Sequence, residues 1–96
     1  MKNLEKTLEY QDWFTGLSDK LVKARIQARI DRLQDSNAGD VASVGEGVSE
    51  LRLRFGSGWR VYFTERGGKI IILLAGGNKS TQVRDIKLAI KLANNL

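Results

Sequence analysis

Residues 49–79, SELRLRFGSGWRVYFTERGGKIIILLAGGNK, decide how this chain folds. Leu51, Leu53 and Phe55 fall at every second position, with Glu50, Arg52 and Arg54 between them, the alternation of a strand with one apolar and one charged face. Gly56-Ser57-Gly58 suits a tight connection. Trp59, Val61 and Phe63 then resume the alternation with Arg60, Tyr62 and Thr64 opposite, so a second strand follows as a hairpin. Arg66-Gly67-Gly68-Lys69 makes another turn. Ile70 to Ala75 is apolar throughout, as in a strand covered on both sides, and is expected to be central in the sheet.

Upstream, Asp35 to Gly47 is rich in Asp, Asn, Ser and Gly and reads as a connection containing a short strand at Val41 to Val44. Before it, Val22, Ile26, Ile30 and Leu33 recur at spacings of four, four and three, the stripe of a helix that Ser18 or Asp19 can cap. Its other face carries Lys20, Lys23, Arg25, Arg29, Asp31 and Arg32 and reads as solvated. Tyr10, Trp13, Phe14 and Leu17 share one side of a short earlier helix, and Lys2 to Glu9 reads as a leading strand. Downstream, Gly76-Gly77-Asn78-Lys79-Ser80 ends the sheet. Ser80 can cap a final helix whose apolar stripe is Val83, Ile86, Ile90 and Ala93, with Arg84, Lys87 and Lys91 exposed. The expected class is α+β: an N-terminal strand and two helices, then an antiparallel β-meander and a C-terminal helix. With 96 residues and no repeat or linker, residues 1–96 are expected to form one domain.

Composition narrows the function. There is no cysteine and no histidine, so disulfides, thiolate metal sites and the common zinc ligands are absent. The N-terminus lacks the apolar core of a signal peptide, and the run Ile70 to Ala75 is too short to span a bilayer, so a cytoplasmic protein without membrane contact is expected. The net charge of +5 is unevenly placed: residues 1–48 hold seven Lys/Arg against eight Asp/Glu, residues 49–96 nine against three. Such a basic half favours a polyanionic partner, although it also suits a surface that merely keeps a protein soluble.

Chemistry must therefore be sought on the arginine face. Glu50, Arg52 and Arg54 project on one side at intervals of roughly 6.6 Å, a row able to follow a phosphate backbone. Ordinary hairpin register adds Arg60 to that face. Guanidinium forks grip phosphate oxygens and stabilise a pentacovalent transition state, but arginine is a poor proton acceptor. Proton transfer needs another group, from Glu50, Lys79, Tyr62 and Asp85. Glu50 equally suits an ion pair with Arg52 or Arg60, and Lys79 a phosphate contact. The glycine turn before Lys79 lacks the spacing of a Walker loop, so no nucleotide site is assigned.

These residues also carry a resemblance. Gly47-Val48-Ser49-Glu50-Leu51-Arg52, Gly58-Trp59-Arg60-Val61-Tyr62-Phe63, Leu73-Leu74-Ala75-Gly76-Gly77-Asn78-Lys79-Ser80 and Arg84-Asp85-Ile86 resemble the RelE/ParE toxin superfamily, closest to its HigB-like, phage Gp49-related branch of addiction-module killer proteins. The likeness extends over the Trp13-Phe14 helix and the Ser36–Asp40 loop. It implies a compact α+β toxin and, in RelE-like members, a ribosome-dependent endoribonuclease that cleaves messenger RNA by metal-independent attack of a ribose 2′-hydroxyl on the adjacent phosphate. It implies no cofactor. The implied partners are the ribosome, messenger RNA and a cognate antitoxin, often a small helix-turn-helix protein.

On the matched positions, Arg52, Arg60 and Lys79 are the expected catalytic residues with Glu50, and Arg54 and Arg84 the expected RNA contacts. The chain departs from several relatives in having no histidine or tyrosine after Tyr62 for proton transfer. The ParE-like arm implies gyrase inhibition instead, and a binding module without catalysis is the third alternative.

Overall fold

The computed structural model describes residues 1–96. Strand β1 (Asn3–Lys6) is followed by helices α1 (Leu8–Gly16) and α2 (Lys20–Gln34), then by strands β2 (Val41–Gly45), β3 (Val48–Leu53), β4 (Trp59–Arg66) and β5 (Ile70–Gly77). A 3-10 turn at Lys79–Thr81 leads into helix α3 (Gln82–Asn94). The five strands form one sheet in the order β1-β5-β4-β3-β2. β2 to β5 are the expected antiparallel meander, and β1 lies parallel to β5, pairing Asn3 with Ile70 through Lys6 with Leu73. β5 is thus an interior strand, as its sequence implies, while β4 occupies the middle place.

The leading strand is shorter than Lys2 to Glu9 because Thr7 turns the chain. Its N–H donates to the Leu73 carbonyl at 3.0 Å and its hydroxyl to that of Leu74 at 2.6 Å, while the same hydroxyl oxygen accepts from Tyr10 N–H at 3.0 Å and caps α1. Asp19 caps α2 through the N–H groups of Leu21 and Val22.

The pleat sorts the side chains into two cores. On one face α1 and α2 cover Leu51, Leu53, Val61, Phe63, Ile71 and Leu73 with Tyr10, Val22, Ile26, Ile30 and Leu33. On the other, α3 covers Val48, Tyr62, Ile72, Leu74 and Ala75 with Ala89. An irregularity in the β4–β5 pairing, between Tyr62 opposite Ala75 and Phe63 opposite Leu73, brings both Leu74 and Ala75 to the α3 side.

Three expectations need correcting. The charged face of β3 is only partly open to solvent: α3 crosses that side of the sheet and fully buries the carboxylate of Glu50, while the Arg52 side chain stays 32% exposed. The inward stripe of α3 is Asp85, Ile86, Ala89, Ile90 and Ala93, and Val83 is 70% exposed. Nor does Ser80 cap α3: Asn78 caps the 3-10 turn by accepting from Ser80 N–H at 3.0 Å, with Thr81 Oγ1 accepting from Asn78 N–H at 3.2 Å. No helix is long and apolar enough to cross a membrane.

Candidate active site

Register brings Arg52, Arg60 and Gly77 into one row across β3, β4 and β5, with Glu50, Tyr62 and Ala75 in the next row inward. Arginines placed directly opposite one another repel. The answering charge is Glu50, whose Oε1 accepts from Arg52 Nε at 2.9 Å. Its Oε2 accepts from the Tyr62 hydroxyl at 2.9 Å and from Gln82 Nε2 at 2.8 Å, and lies 3.8 Å from Arg60 Nε.

Burial alone would push the Glu50 carboxyl up, but the hydrogen bonds from Arg52, Gln82 and Tyr62 and the charge of Arg60 outweigh it and hold the group below its ordinary range. Glu50 is therefore a carboxylate with every strong interaction already made. Burial and then the Glu50 hydrogen bond push the Tyr62 phenol well up, so it stays protonated. The hydrogen bond to Glu50 raises Arg52 further, against the smaller effect of desolvation.

The two guanidiniums are exposed to different degrees. The Arg60 side chain is 13% exposed and its buried Nε has no hydrogen-bond partner, whereas the Arg52 side chain is 32% exposed. Lys79 is exposed beside the β3–β4 turn: its N–H donates to the Ser57 carbonyl at 3.2 Å, and a Cβ on Gly58 would come within 3.2 Å of the lysine Cβ. Lys79, Gln82, Arg84 and Lys87 line a shallow groove of about 550 Å³ over the first turns of α3. Gln82 belongs to both the groove and the Glu50 cluster.

Of the residues expected from sequence, the structure thus gathers Glu50, Arg52 and Arg60 into one cluster and Lys79 and Arg84 into the adjoining groove. Arg54 is apart. β3 ends at Leu53, and the exposed Arg54 pairs with Asp40, so it does not extend the row of Glu50 and Arg52. That pairing, a hydrogen bond first and charge second, also pulls the Asp40 carboxyl below its usual range.

The Gly76-Gly77 pair is explained by packing. Both residues belong to β5, and a Cβ on Gly76 would lie 2.3 Å from the Trp13 ring, one on Gly77 1.8 Å from Asp85 Oδ2. The glycines let α1 and α3 close on opposite faces of the same strand end. Asp85, 4% exposed, is fixed there by the Thr81 hydroxyl.

Sequence reasoning missed Gln82, which joins the helix to the arginine cluster. The signal was available: Gln82, Asp85 and Ala89 recur at three and four residues beside Ile86 and Ile90, so the inward face of α3 begins with two polar side chains. Arg29 was also missed as a structural residue. Its guanidinium donates to the carbonyls of Arg52 at 2.8 Å and Ala38 at 3.0 Å, tying α2 to the end of β3. No group of three or more acidic, histidine or cysteine side chains is placed to hold a metal ion.

The family model for Phage derived protein Gp49-like (DUF891) matches residues 12–96. The chain belongs to this Gp49-like family. A Haemophilus influenzae protein, described as uncharacterized, is 47% identical to the Gp49-like chain over 93 residues, 97% of this chain and 94% of its relative. A chain of the intact Escherichia coli RelBE toxin–antitoxin complex superposes with a TM-score of 0.68 at 15% identity, over 81% of the Gp49-like protein and 96% of that chain. A double arginine-to-alanine mutant of Escherichia coli toxin RelE in the free state gives 0.71 at 16% identity, over 94% and 95%. At these identities the likeness is one of fold: the Gp49-like protein has the α+β fold of RelE toxins, as the motifs of residues 47–86 imply.

Proposed function

We propose that this Gp49-like protein is the toxin of a toxin–antitoxin pair and an endoribonuclease that cuts messenger RNA on the ribosome. The observation that carries the reading is the Arg52–Arg60 pair, held opposite one another across two strands by a buried carboxylate and adjoined by a lysine-bearing turn. The RelE fold and the family add support.

In this mechanism Arg52 and Arg60 bind the non-bridging oxygens of the scissile phosphate and stabilise the charge that accumulates as the ribose 2′-oxygen adds to phosphorus. The P–O5′ bond breaks, leaving a 2′,3′-cyclic phosphate and a 5′-hydroxyl. The Lys79 ammonium supplies the proton to the departing 5′-oxygen, and the 2′-hydroxyl proton passes to water. Glu50 moves no proton, because its oxygens already accept from Arg52, Tyr62 and Gln82; it positions the arginines. Arg84 steers the flanking RNA backbone along the α3 groove. The ribosome aligns the 2′-oxygen with phosphorus, which the protein's few side chains do not do. A small antitoxin, of helix-turn-helix type, neutralises the toxin in the cytoplasm.

Induced expression followed by primer extension on translated messages tests the proposal. Wild type is expected to give new transcript ends within codons, and Arg60→Ala to remove them. Identical ends for wild type and Arg60→Ala refute the nuclease reading. Inhibition of gyrase supercoiling without RNA cleavage would move the protein to the ParE-like arm.

A further inference from the structure

The side-chain amide of Gln82 is locked in one orientation. Glu50 is held as a carboxylate, which only accepts hydrogen bonds, so Gln82 must present Nε2 to it, at 2.8 Å, and cannot be reversed. The amide oxygen, Oε1, is thereby turned away from the carboxylate. It accepts from no group of the chain and, unlike Arg60 Nε, is not sealed from solvent. Gln82 is half-buried and lines the groove over the first turns of α3. The other polar side chains there only donate or are already engaged: Lys79, Arg84 and Lys87 have no acceptor, the Ser80 hydroxyl donates to Asn78 Oδ1 at 2.6 Å, and that of Thr81 donates to Asp85. One preset acceptor thus stands in a groove of donors. It is a single carboxylate away from Arg60, whose Nε lies 3.8 Å from the same Glu50 oxygen that Gln82 bonds.

Donors suit phosphate oxygens, but an acceptor needs a proton to meet. A phosphodiester has none to give, and within a chain the 3′- and 5′-oxygens of the sugar are esterified. On the backbone only the ribose 2′-hydroxyl can donate, and deoxyribose offers nothing in its place. We infer that Gln82 reads the sugar: with the scissile phosphate on Arg52 and Arg60, Oε1 accepts from the 2′-hydroxyl of the nucleotide that enters the α3 groove, on the leaving-group side of the bond that breaks. That hydroxyl is not the attacking one, which belongs to the nucleotide before the phosphate. Because Glu50 holds the amide, Gln82 cannot turn over to suit a different partner, and the preference is set before the substrate arrives. Base edges lie farther from the phosphate than the sugar does and differ from base to base, so an acceptor this near the arginines selects RNA over DNA and not a sequence. The inference deepens the nuclease reading, since it rests on Arg52 and Arg60 holding the phosphate. It adds a specificity residue acting at a sugar whose hydroxyl the cleavage chemistry does not itself require.

Adenosine 5′-monophosphate and 2′-deoxyadenosine 5′-monophosphate, titrated into the isotope-labelled full chain and followed by backbone and side-chain NMR shifts, test this without the ribosome. Wild type is expected to bind the ribonucleotide about three- to tenfold more tightly, the effect of one neutral hydrogen bond, with shifts at residues 52, 60 and 82. Gln82→Met removes donor and acceptor together, whereas Gln82→Lys keeps a donor for Glu50 and has no acceptor. Both variants should bind the two nucleotides alike, and Gln82→Lys should keep at least wild-type affinity for inorganic phosphate. A merely structural Gln82 would lower both affinities and leave their ratio in place. On programmed ribosomes, a message with a single 2′-deoxy sugar just downstream of the cut should be cleaved by wild type about three- to tenfold more slowly than the all-ribose message, and by Gln82→Lys at an equal rate. Equal affinity of wild type for the two nucleotides, a sugar preference that survives in Gln82→Lys, or a preference that follows the base when cytidine replaces adenosine overturns the inference, as does failure of either nucleotide to shift Arg52 and Arg60. A wild type that cleaves nothing yet prefers the ribonucleotide would refute the nuclease reading and uphold the sugar preference.

Discussion

Glu50→Gln isolates the charge at the centre of the arginine cluster while keeping the shape of the side chain. In the native protein the carboxylate accepts from Arg52 Nε, Tyr62 Oη and Gln82 Nε2 and faces Arg60 at 3.8 Å, with none of its own surface exposed. Hydrogen bonds to a charged group contribute about 1.5–3 kcal/mol and those between neutral groups about 0.5–1.5 kcal/mol, so losing charge assistance costs about 1 kcal/mol per bond. The Arg52 side chain is 32% exposed and keeps part of its hydration, which lowers its share. The glutamine amide must also turn its NH₂ toward one of the donors. The expected loss is about 2–3 kcal/mol, or about 10–20 °C in Tm for a domain of this size. Urea unfolding should show a lower midpoint with an unchanged slope.

The pH dependence has a defined sign. Because the Glu50 carboxyl titrates lower in the folded chain than in the unfolded one, its stabilisation is complete above the unfolded value, about 4.3, and fades as pH falls through the folded value. The gap between wild type and Glu50→Gln should therefore be constant from pH 6 to 8 and narrow below about pH 4. A difference under about 0.5 kcal/mol at pH 7, or one that does not narrow in acid, would refute the assignment of Glu50 as a buried, charge-bearing brace.

Three further outcomes follow from the same geometry. Gly77→Ala drives a methyl group into Asp85 Oδ2 and should cost about 3 kcal/mol, measured by urea unfolding, with loss of transcript cleavage because α3 and Gln82 must shift. Lys79→Met, at an exposed position, should leave stability within about 0.5 kcal/mol but reduce single-turnover cleavage on programmed ribosomes by about 10²-fold or more. Ile26→Ala, at a fully buried position of α2, should cost about 2–5 kcal/mol by urea unfolding and leave the cleavage pattern unchanged where the protein remains folded.

The elements were legible where the chain keeps one period for several residues. Val22, Ile26, Ile30 and Leu33 are all buried at their expected spacings, and the alternation of Leu51, Leu53, Val61 and Phe63 put Arg52 and Arg60 on a common face, now seen directly paired. What alternation does not encode is the element that covers a face. Glu50 and Arg52 differ by only two positions on one strand, yet α3 reaches the first and leaves the second partly open. The parallel pairing of β1 with β5 joins residues 67 apart, and no local pattern marks it. Arg29 was indistinguishable in sequence from its solvated neighbours because its partners are backbone carbonyls, that of Arg52 in β3 and that of Ala38 in the loop after α2. Gly76-Gly77 looked like a turn, since composition does not separate a glycine needed for φ from one needed for closeness.

The chemistry of the cut ends tests the central claim most directly. Purified protein added to ribosomes paused on a defined message should yield an upstream fragment ending in a 2′,3′-cyclic phosphate and a downstream fragment beginning with a 5′-hydroxyl, identified by mass spectrometry, with both lost in Arg60→Ala. An intact message with wild-type protein, a cut bearing a 5′-phosphate, or equal cleavage by Arg60→Ala would contradict an arginine-stabilised attack by the 2′-hydroxyl.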